Sequence, residues 1–157
     1  VMLPIKTWDM DNNSNQELVF IDKVTEFGET NGKFCYYIKA TEGNNTPYGS
    51  VPEGSLSNIV CIRQTPNIFV PNTFTPNGDE HNEVFRPIAS FVSEEGYFFS
   101  IYNANGSEIF LTNDPKKGWD GTYNGKNAQN GNYVYHLQYI NSDGALTHKT
   151  EPITLVR

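Results

Sequence analysis

Short runs of alternating apolar residues, separated by Asn-Gly and Asp-Gly pairs, are the feature that most constrains this chain. The run Tyr97–Tyr102 ends at the turn 103–106, and the longest run, Tyr133–Tyr139, follows Asn130-Gly131. Glycine after asparagine or aspartate supplies the positive φ that tight hairpin turns require. Alternation gives a strand one buried face and one exposed face. The stretch from Tyr97 to Tyr139 therefore predicts an antiparallel β-meander.

The composition of the whole chain also favours an all-β protein. Good helix formers are scarce, whereas the 157 residues include 13 Gly, 9 Pro, 9 Tyr and 10 Phe. The net charge of −7 argues against a nucleic-acid partner, because neutralising phosphates needs a basic surface. No run approaches the roughly 20 apolar residues of a membrane span. We therefore expect a protein that neither binds nucleic acid nor spans a membrane itself.

Two modules are expected, with a boundary in the short link 64–67, where Pro66 removes a ladder donor. Residues 1–65 contain three or four strand candidates, which include Leu18–Val24, Phe34–Ala40 and Asn58–Arg63. Their order resembles the end of a fibronectin III or immunoglobulin-like module. A complete sandwich of that kind needs about 100 residues and seven strands, so we expect a partial module over 1–65.

The second module, residues 67–157, contains about seven strand candidates joined by short turns, which predicts an immunoglobulin-like β-sandwich. Leu146–Thr150 and Ile153–Arg157 are two of these candidates, separated by Glu151-Pro152. The chain opens on Val1 without an export signal, in sequence that already looks folded. We therefore interpret it as the C-terminal fragment of a longer protein.

Ordered motifs in residues 67–157 are similar to those of a known family. In chain order they are Val70–Asp79 (VPNTFTPNGD), Val84-Phe85, Phe99–Asn103 (FSIYN), Gly106, Ile109-Phe110, Gly118–Tyr123 (GWDGTY), Gly131–Tyr135 (GNYVY) and Ile153–Arg157 (ITLVR). This set resembles the gliding-motility-associated C-terminal domain, which is the type B sorting domain of the type 9 (type IX) secretion system. The resemblance implies a non-catalytic sorting signal that directs a larger cargo protein through the secretion translocon to the cell surface.

The resemblance also implies partners and a place for their contact. The expected partners are the type IX outer-membrane translocon and an outer-membrane β-barrel anchoring protein, which makes the protein secreted or surface-associated. A folded β-module can present either an exposed strand edge or a shaped loop surface to such partners. We expect the contact near Pro71 and Asn72, beside the opening strand, and at Arg157.

The two cysteines become informative once export is implied. Cys35 and Cys61 lie in separate strand candidates. In an exported protein, two cysteines on neighbouring strands favour a disulfide. The alternative is two buried thiols in a cytosolic domain. We expect the disulfide.

Enzymatic chemistry is not expected. The histidines His81, His136 and His148 occupy unrelated positions in the sequence, without the spacing of a metal site. Ser100 and Ser107 have no Gly-x-Ser-x-Gly elbow around them.

Calcium is the one cofactor that the sequence suggests. Asn77, Asp79 and Glu83 place oxygen donors around a glycine turn, and Ca²⁺ prefers oxygen ligands. Against this, the EF-hand order of ligands is absent, and such residues commonly hold their own turn. We favour the turn, and otherwise expect no cofactor.

Trp119 admits two interpretations. It is either a stacking platform for sugars or a core residue whose indole N–H bonds to Asp120 or a backbone carbonyl. We favour the core, together with the face formed by Tyr133, Tyr135, Leu137 and Tyr139. The platform interpretation leads to the alternative function, an adhesive or carbohydrate-binding β-sandwich module of an extracellular protein.

Overall fold

The computed structural model describes residues 6–7, 19–28, 30–42 and 53–157. Within this part of the chain there are one short 3-10 helix, Val24–Phe27, and thirteen strands. The strands are β1 Lys33–Tyr36, β2 Lys39–Thr41, β3 Gly54–Leu56, β4 Val60–Arg63, β5 Asn67–Phe69, β6 Thr73–Phe74, β7 Ile88–Ser90, β8 Phe98–Tyr102, β9 Glu108–Thr112, β10 Thr122–Tyr123, β11 Lys126–Asn127, β12 Gly131–Ile140 and β13 Leu146–Leu155.

The largest unit is a five-stranded sheet with the spatial order β6-β13-β12-β8-β9. All neighbours are antiparallel except β6 and β13, which are parallel. Alternation determines its faces: Phe99 and Ile101 on β8, with Tyr135 and Leu137 on β12, are buried on one side. On the opposite side the side chains are mostly exposed or half-buried, although Ser100 is buried.

A second layer of short strands covers the buried side. It contains the β5–β7 pair, the β10–β11 hairpin and a two-residue bridge in which Phe85 and Trp119 exchange backbone hydrogen bonds of 2.8 and 2.9 Å. The Phe85 ring lies 5.8 Å from that of Phe99 and 6.1 Å from that of Tyr135. Two packed layers around one aromatic core confirm the predicted all-β, immunoglobulin-like sandwich.

Trp119 lies in this core, as expected, and is 1% exposed. Its ring meets Tyr133 edge-on at 5.0 Å, and its Nε1 donates to the carbonyl of Thr122 at 2.7 Å. The preceding Gly118 is required by close approach, because a Cβ there would lie 2.6 Å from the Phe85 carbonyl oxygen. The Gly-Trp pair is therefore explained by core packing.

The strand order corrects the predicted meander. β12 pairs with β8 and not with β9, so the chain returns on the far side of β8. The connecting segment carries Trp119, which is buried in the other layer. Leaving the sheet to deliver this side chain to the core prevents β12 from continuing beside β9.

The predicted break at Glu151-Pro152 is also wrong, because β13 runs continuously through it as a ten-residue strand. Pro152 lies opposite Val134 on β12, and on its other side β13 pairs with β6 only at Thr154 and Leu155. A proline is tolerated at such a strand position because its missing N–H costs no ladder bond on an open side.

Upstream of the sandwich, β1 pairs with β4 and β2 with β3 to form a two-stranded ribbon. Cys35 and Cys61 are directly opposite each other in this ribbon and form a disulfide, which confirms the sequence-based expectation. The bond closes a sequence separation of 26 residues, worth roughly 3–4 kcal/mol on the chain-entropy model.

The strand predicted at Leu18–Val24 is absent from the described part of that segment. Leu18 lies outside the described residues, residues 19–23 have no regular structure, and the 3-10 helix begins at Val24. The segment is attached to the ribbon by a side chain instead, since the Tyr36 hydroxyl donates to Asp22 at 2.8 Å.

Two buried tyrosines generate a stability prediction. The Tyr97 hydroxyl is buried without a hydrogen-bond partner among the described residues, whereas the Tyr135 hydroxyl donates to Glu151 at 3.0 Å. An unpaired buried hydroxyl costs about 1–3 kcal/mol, so Tyr97→Phe should raise the free energy of unfolding by about 1 kcal/mol. Tyr135→Phe removes the same group and should lower it by about 1–2 kcal/mol. Urea unfolding measures both, and equal losses would contradict the prediction.

Candidate functional site

The C-terminal Arg157 ties together the loops at one end of the sandwich. Its guanidinium group donates to the carbonyl oxygens of Pro76, Gly121 and Ala128 at 2.9, 2.9 and 2.8 Å. These carbonyls belong to separate loops, and a planar fork of donors is suited to holding several acceptors in fixed directions. The arrangement makes this end of the module a defined surface.

Gly121 makes room for this contact. It has a φ of +78°, and a Cβ at this position would lie 2.8 Å from the Arg157 Nη2 atom and 2.8 Å from the Pro76 side chain. The neighbouring Asp120 holds its own turn by accepting from the backbone N–H and the hydroxyl of Thr122 at 2.9 and 2.7 Å. The Asp-Gly pair of the sequence motif therefore serves the loop end of the sandwich.

The predicted partner-contact residues lie on both sides of the two-residue strand β6. The Asn72 carbonyl accepts from the N–H of Thr154 at 2.9 Å, while Arg157 reaches Pro76 beyond the strand. Pro71 is half-buried and Asn72 is exposed. The structure thus brings Asn72 and Arg157 to the same junction of β6 and β13, where their contact with a partner stays a prediction.

The predicted calcium ligands lie in one exposed loop that their own hydrogen bonds hold. Glu83 Oε1 accepts from the backbone N–H groups of Gly78 and Asp79 at 2.7 and 2.8 Å. Asn77 and Asp79 contact each other through the Asn77 amide at 3.1 Å. These are the bonds expected of a turn, and within the described residues no group of three His, Cys, Asp or Glu side chains has the arrangement of a metal site. Calcium binding here stays a prediction.

Hydrogen bonds from the His81 backbone N–H and then from Asn77 lower the pKa of Asp79 below its usual value of 3.8. A carboxylate whose pKa is lowered by folding stabilises the folded loop above the unfolded pKa. That contribution is lost as the pH falls through the lower, folded value.

The sequence analysis did not predict that two histidines lie close together on the outer side of the large sheet. His136 is opposite Thr150 and His148 is opposite Gln138, so the two histidines are diagonal neighbours on β12 and β13. They line a shallow depression with Phe98, Ser100, Tyr102, Gln138 and Thr150. Their positions are unrelated in sequence, and only the register of the hairpin at 141–145 brings them together.

The two edges of the large sheet differ. At one edge β6 is only two residues long and lies between Pro71 and Pro76, and the rest of that edge is the open side of β13 over residues 146–153, which carries Lys149 and Pro152. The β9 edge has five residues, Glu108–Thr112, without proline or lysine, and among the described residues it pairs only with β8. Short strands, prolines, lysines and bulges protect an edge from further pairing. β9 has one register shift, where Ile101 pairs with Phe110 and Tyr102 with Glu108, so its residues 110–112 are the less protected stretch.

The loop 77–83 generates a prediction. If the loop binds calcium, EDTA should lower the Tm of the full chain, and Asp79→Asn should remove that difference. Asparagine keeps an oxygen that can accept from the His81 N–H but loses the charge that Ca²⁺ favours. Glu80→Gln neutralises a neighbouring exposed carboxylate outside the predicted ligand set and serves as the control. Melting followed by circular dichroism with calcium and with EDTA is the measurement, and identical curves for the unmodified chain would leave only the turn.

In the described part of the chain no helix has the length and apolarity needed to cross a membrane. Among proteins of curated function, none matches the chain. A family model does match it: the CHU_C Type IX secretion signal domain, over residues 68–154. The matched segment begins in β5 and ends in β13, so it includes both layers of the sandwich and the loops that Arg157 joins. The chain belongs to the Type IX secretion signal domain family.

Proposed function

We propose that residues 67–157 act as a folded, non-catalytic address that directs a larger cargo protein through the type IX translocon to the cell surface. The observation that carries this proposal is the family match over 68–154, whose description names a secretion signal and no catalytic activity. The proposed partners are the outer-membrane translocon and an outer-membrane β-barrel that anchors the delivered protein. Recognition by either partner needs a surface that differs from those of other exported β-modules.

The β9 edge is the surface we propose for strand addition by the machinery. Backbone N–H and C=O groups on an unprotected edge strand can extend the sheet onto a partner strand. Leu111, in this strand, is 55% exposed on the outer face, and Phe98 on β8 is 49% exposed on the same face. A partner strand with apolar side chains on that face would continue the patch.

Arg157 supports the second type of recognition, by loop shape. Because each of its three guanidinium nitrogens donates to a backbone carbonyl, it contributes mainly by ordering the loops that contain Pro76, Gly121 and Ala128. The loop end carries the acidic residues Asp79, Glu80, Glu83 and Asp120.

The alternative function, sugar binding on Trp119, loses the observation that motivated it. The indole ring is buried and its N–H is already bonded to Thr122, so neither face is available for stacking. Tyr123, which is 42% exposed, is an aromatic residue near this end that a glycan could still reach. A glycan array probed with the full chain tests this alternative.

A reporter assay tests the sorting function. The full chain, fused behind a passive reporter with an ordinary export signal, should carry the reporter to the surface of a bacterium that has a type IX system. Trp119→Ala should prevent this, because removing a buried aromatic ring costs roughly 3–5 kcal/mol of stability. Deleting 153–157 should also prevent it, by removing the buried Ile153 and Leu155 and the Arg157 contacts.

Surface labelling and cell fractionation measure the outcome, with a strain that lacks the translocon as the control. Retention of the reporter in the periplasm, in a strain that exports its own cargo, would refute the sorting function. Full export of the Trp119→Ala fusion would show that a linear segment is recognised instead of the folded module.

The edge proposal has its own matched pair of variants. Leu111 and Leu146 are almost equally exposed, at 55% and 54%, but only Leu111 lies in the β9 edge strand. A lysine in an edge strand opposes further pairing. Leu111→Lys should therefore lower surface delivery several-fold, with unfolding unchanged, whereas Leu146→Lys should leave delivery intact. Equal delivery by both variants would exclude the β9 edge as the recognised surface.

A further inference from the structure

A phenylalanine at the corner after β7 has an unusual backbone conformation. Phe91 has a φ of +60°, in the left-handed region. The other described non-glycine residues with positive φ are Glu80, Asn82 and Asn124, which lie in polar loops and turns. A bulky residue rarely adopts this conformation, and it persists only where the surroundings hold it there. The residues around Phe91 must therefore hold it in this conformation.

The contacts of Phe91 come from the segment upstream of the secretion signal domain. Its backbone N–H donates to the carbonyl of Gly28 at 2.7 Å. Its ring meets the ring of Phe34 edge-on at 6.2 Å, and Phe34 is in turn 6.2 Å from Phe27. Edge-on pairs at this separation are favourable beyond simple burial. Residues 27–34 all lie outside the family match.

The turn that opens the ribbon is pressed against the same corner. Gly32 has a φ of +69°, and a Cβ at this position would lie 2.8 Å from the Phe91 Cβ and 3.3 Å from its carbonyl oxygen. The Gly32 carbonyl accepts from the N–H of Gln64, which begins the link to the domain. The link itself has three residues between β4 and β5. Both strands of the ribbon are thus held at the corner, at the end where Lys33 pairs with Arg63.

The disulfide gives the ribbon the stiffness to act as one body. Cys35 is adjacent to Phe34, and its partner Cys61 lies on β4, which leads into the link. The contacting aromatic ring and the link are therefore cross-linked across the ribbon.

We propose that the corner around Phe91 is a docking surface for the ribbon just upstream, and that it holds the secretion signal domain in a fixed orientation relative to that ribbon. The segment that fits this surface is a disulfide-linked β-ribbon with a glycine at its opening turn and an aromatic residue in its first strand. The consequence is that the domain is attached to what precedes it by a rigid joint, whereas a flexible tether would let it swing.

NMR relaxation measurements on the full chain test whether the joint is rigid. If the joint is rigid, backbone amides of the ribbon (33–36 and 60–63) and of β12 report one common rotational correlation time. Relative motion is the default for small interfaces, so losing the contact should make the ribbon tumble roughly 1.5-fold faster than β12. Phe91→Gly removes the ring and also accepts the positive φ, so it does not add strain to the domain.

Phe34→Ala removes the same contact from the other side and lies outside the domain, so it keeps the test valid if Phe91→Gly does not fold. Phe98→Ala removes an exposed phenylalanine that is not at the corner and should leave the common correlation time unchanged. Separate correlation times in the unmodified chain would overturn the proposal. A common correlation time that survives both Phe91→Gly and Phe34→Ala would overturn it as well.

Discussion

The pair of backbone hydrogen bonds between Phe85 and Trp119 is the contact on which the rest of the sandwich depends. It joins two segments that are 34 residues apart and places both rings between the layers. Phe74 completes the cluster, with ring centroids 5.5 Å from Phe85 and 5.2 Å from Trp119. Because protein interiors are close-packed, these large rings leave little freedom in how the second layer lies on the sheet. The position of Trp119 in the core therefore fixes where the loops that follow it begin.

Trp119 also links the core to the surface at the loop end of the sandwich. The Trp119 indole N–H binds the Thr122 carbonyl, and the turn between them exposes the Gly121 carbonyl to Arg157. A lysine at position 157 would retain the charge but not the planar fork that reaches three carbonyls. The last residue of the chain therefore orders loops whose sequences lie far upstream, and a surface built in this way exists only once β13 has paired with both β12 and β6.

The sequence was sufficient to predict features that depend on local chemistry. Alternation located β8 and β12, and Asn124-Gly125 forms a tight turn of the kind that Asn-Gly pairs predict, with φ values of +51° and +73°. Features that depend on long-range register were not predictable. The diagonal placement of His136 and His148 follows from pairing across a hairpin, and the position of β12 beside β8 follows from the burial of Trp119 in the opposite layer. The continuity of β13 through Pro152 depends on which side of the strand has no neighbour. A local sequence pattern cannot predict that side.

Strained backbone lies where several partners hold the chain, and this bears on how such a domain can be recognised. Glu80 and Asn82 have positive φ in the loop that Glu83 closes with two hydrogen bonds, and Phe91 is held by Gly28 and Phe34. A free peptide with the same sequence would keep the local bonds of Glu83, but it would lose the contacts of Phe91 with Gly28 and Phe34 and the bond from Arg157 to Pro76 at the base of the loop, because these come from distant parts of the fold. A partner that binds the loop end or the β9 edge therefore reads a conformation that the assembled sandwich maintains. This favours recognition of the folded domain over recognition of its motifs as linear sequence.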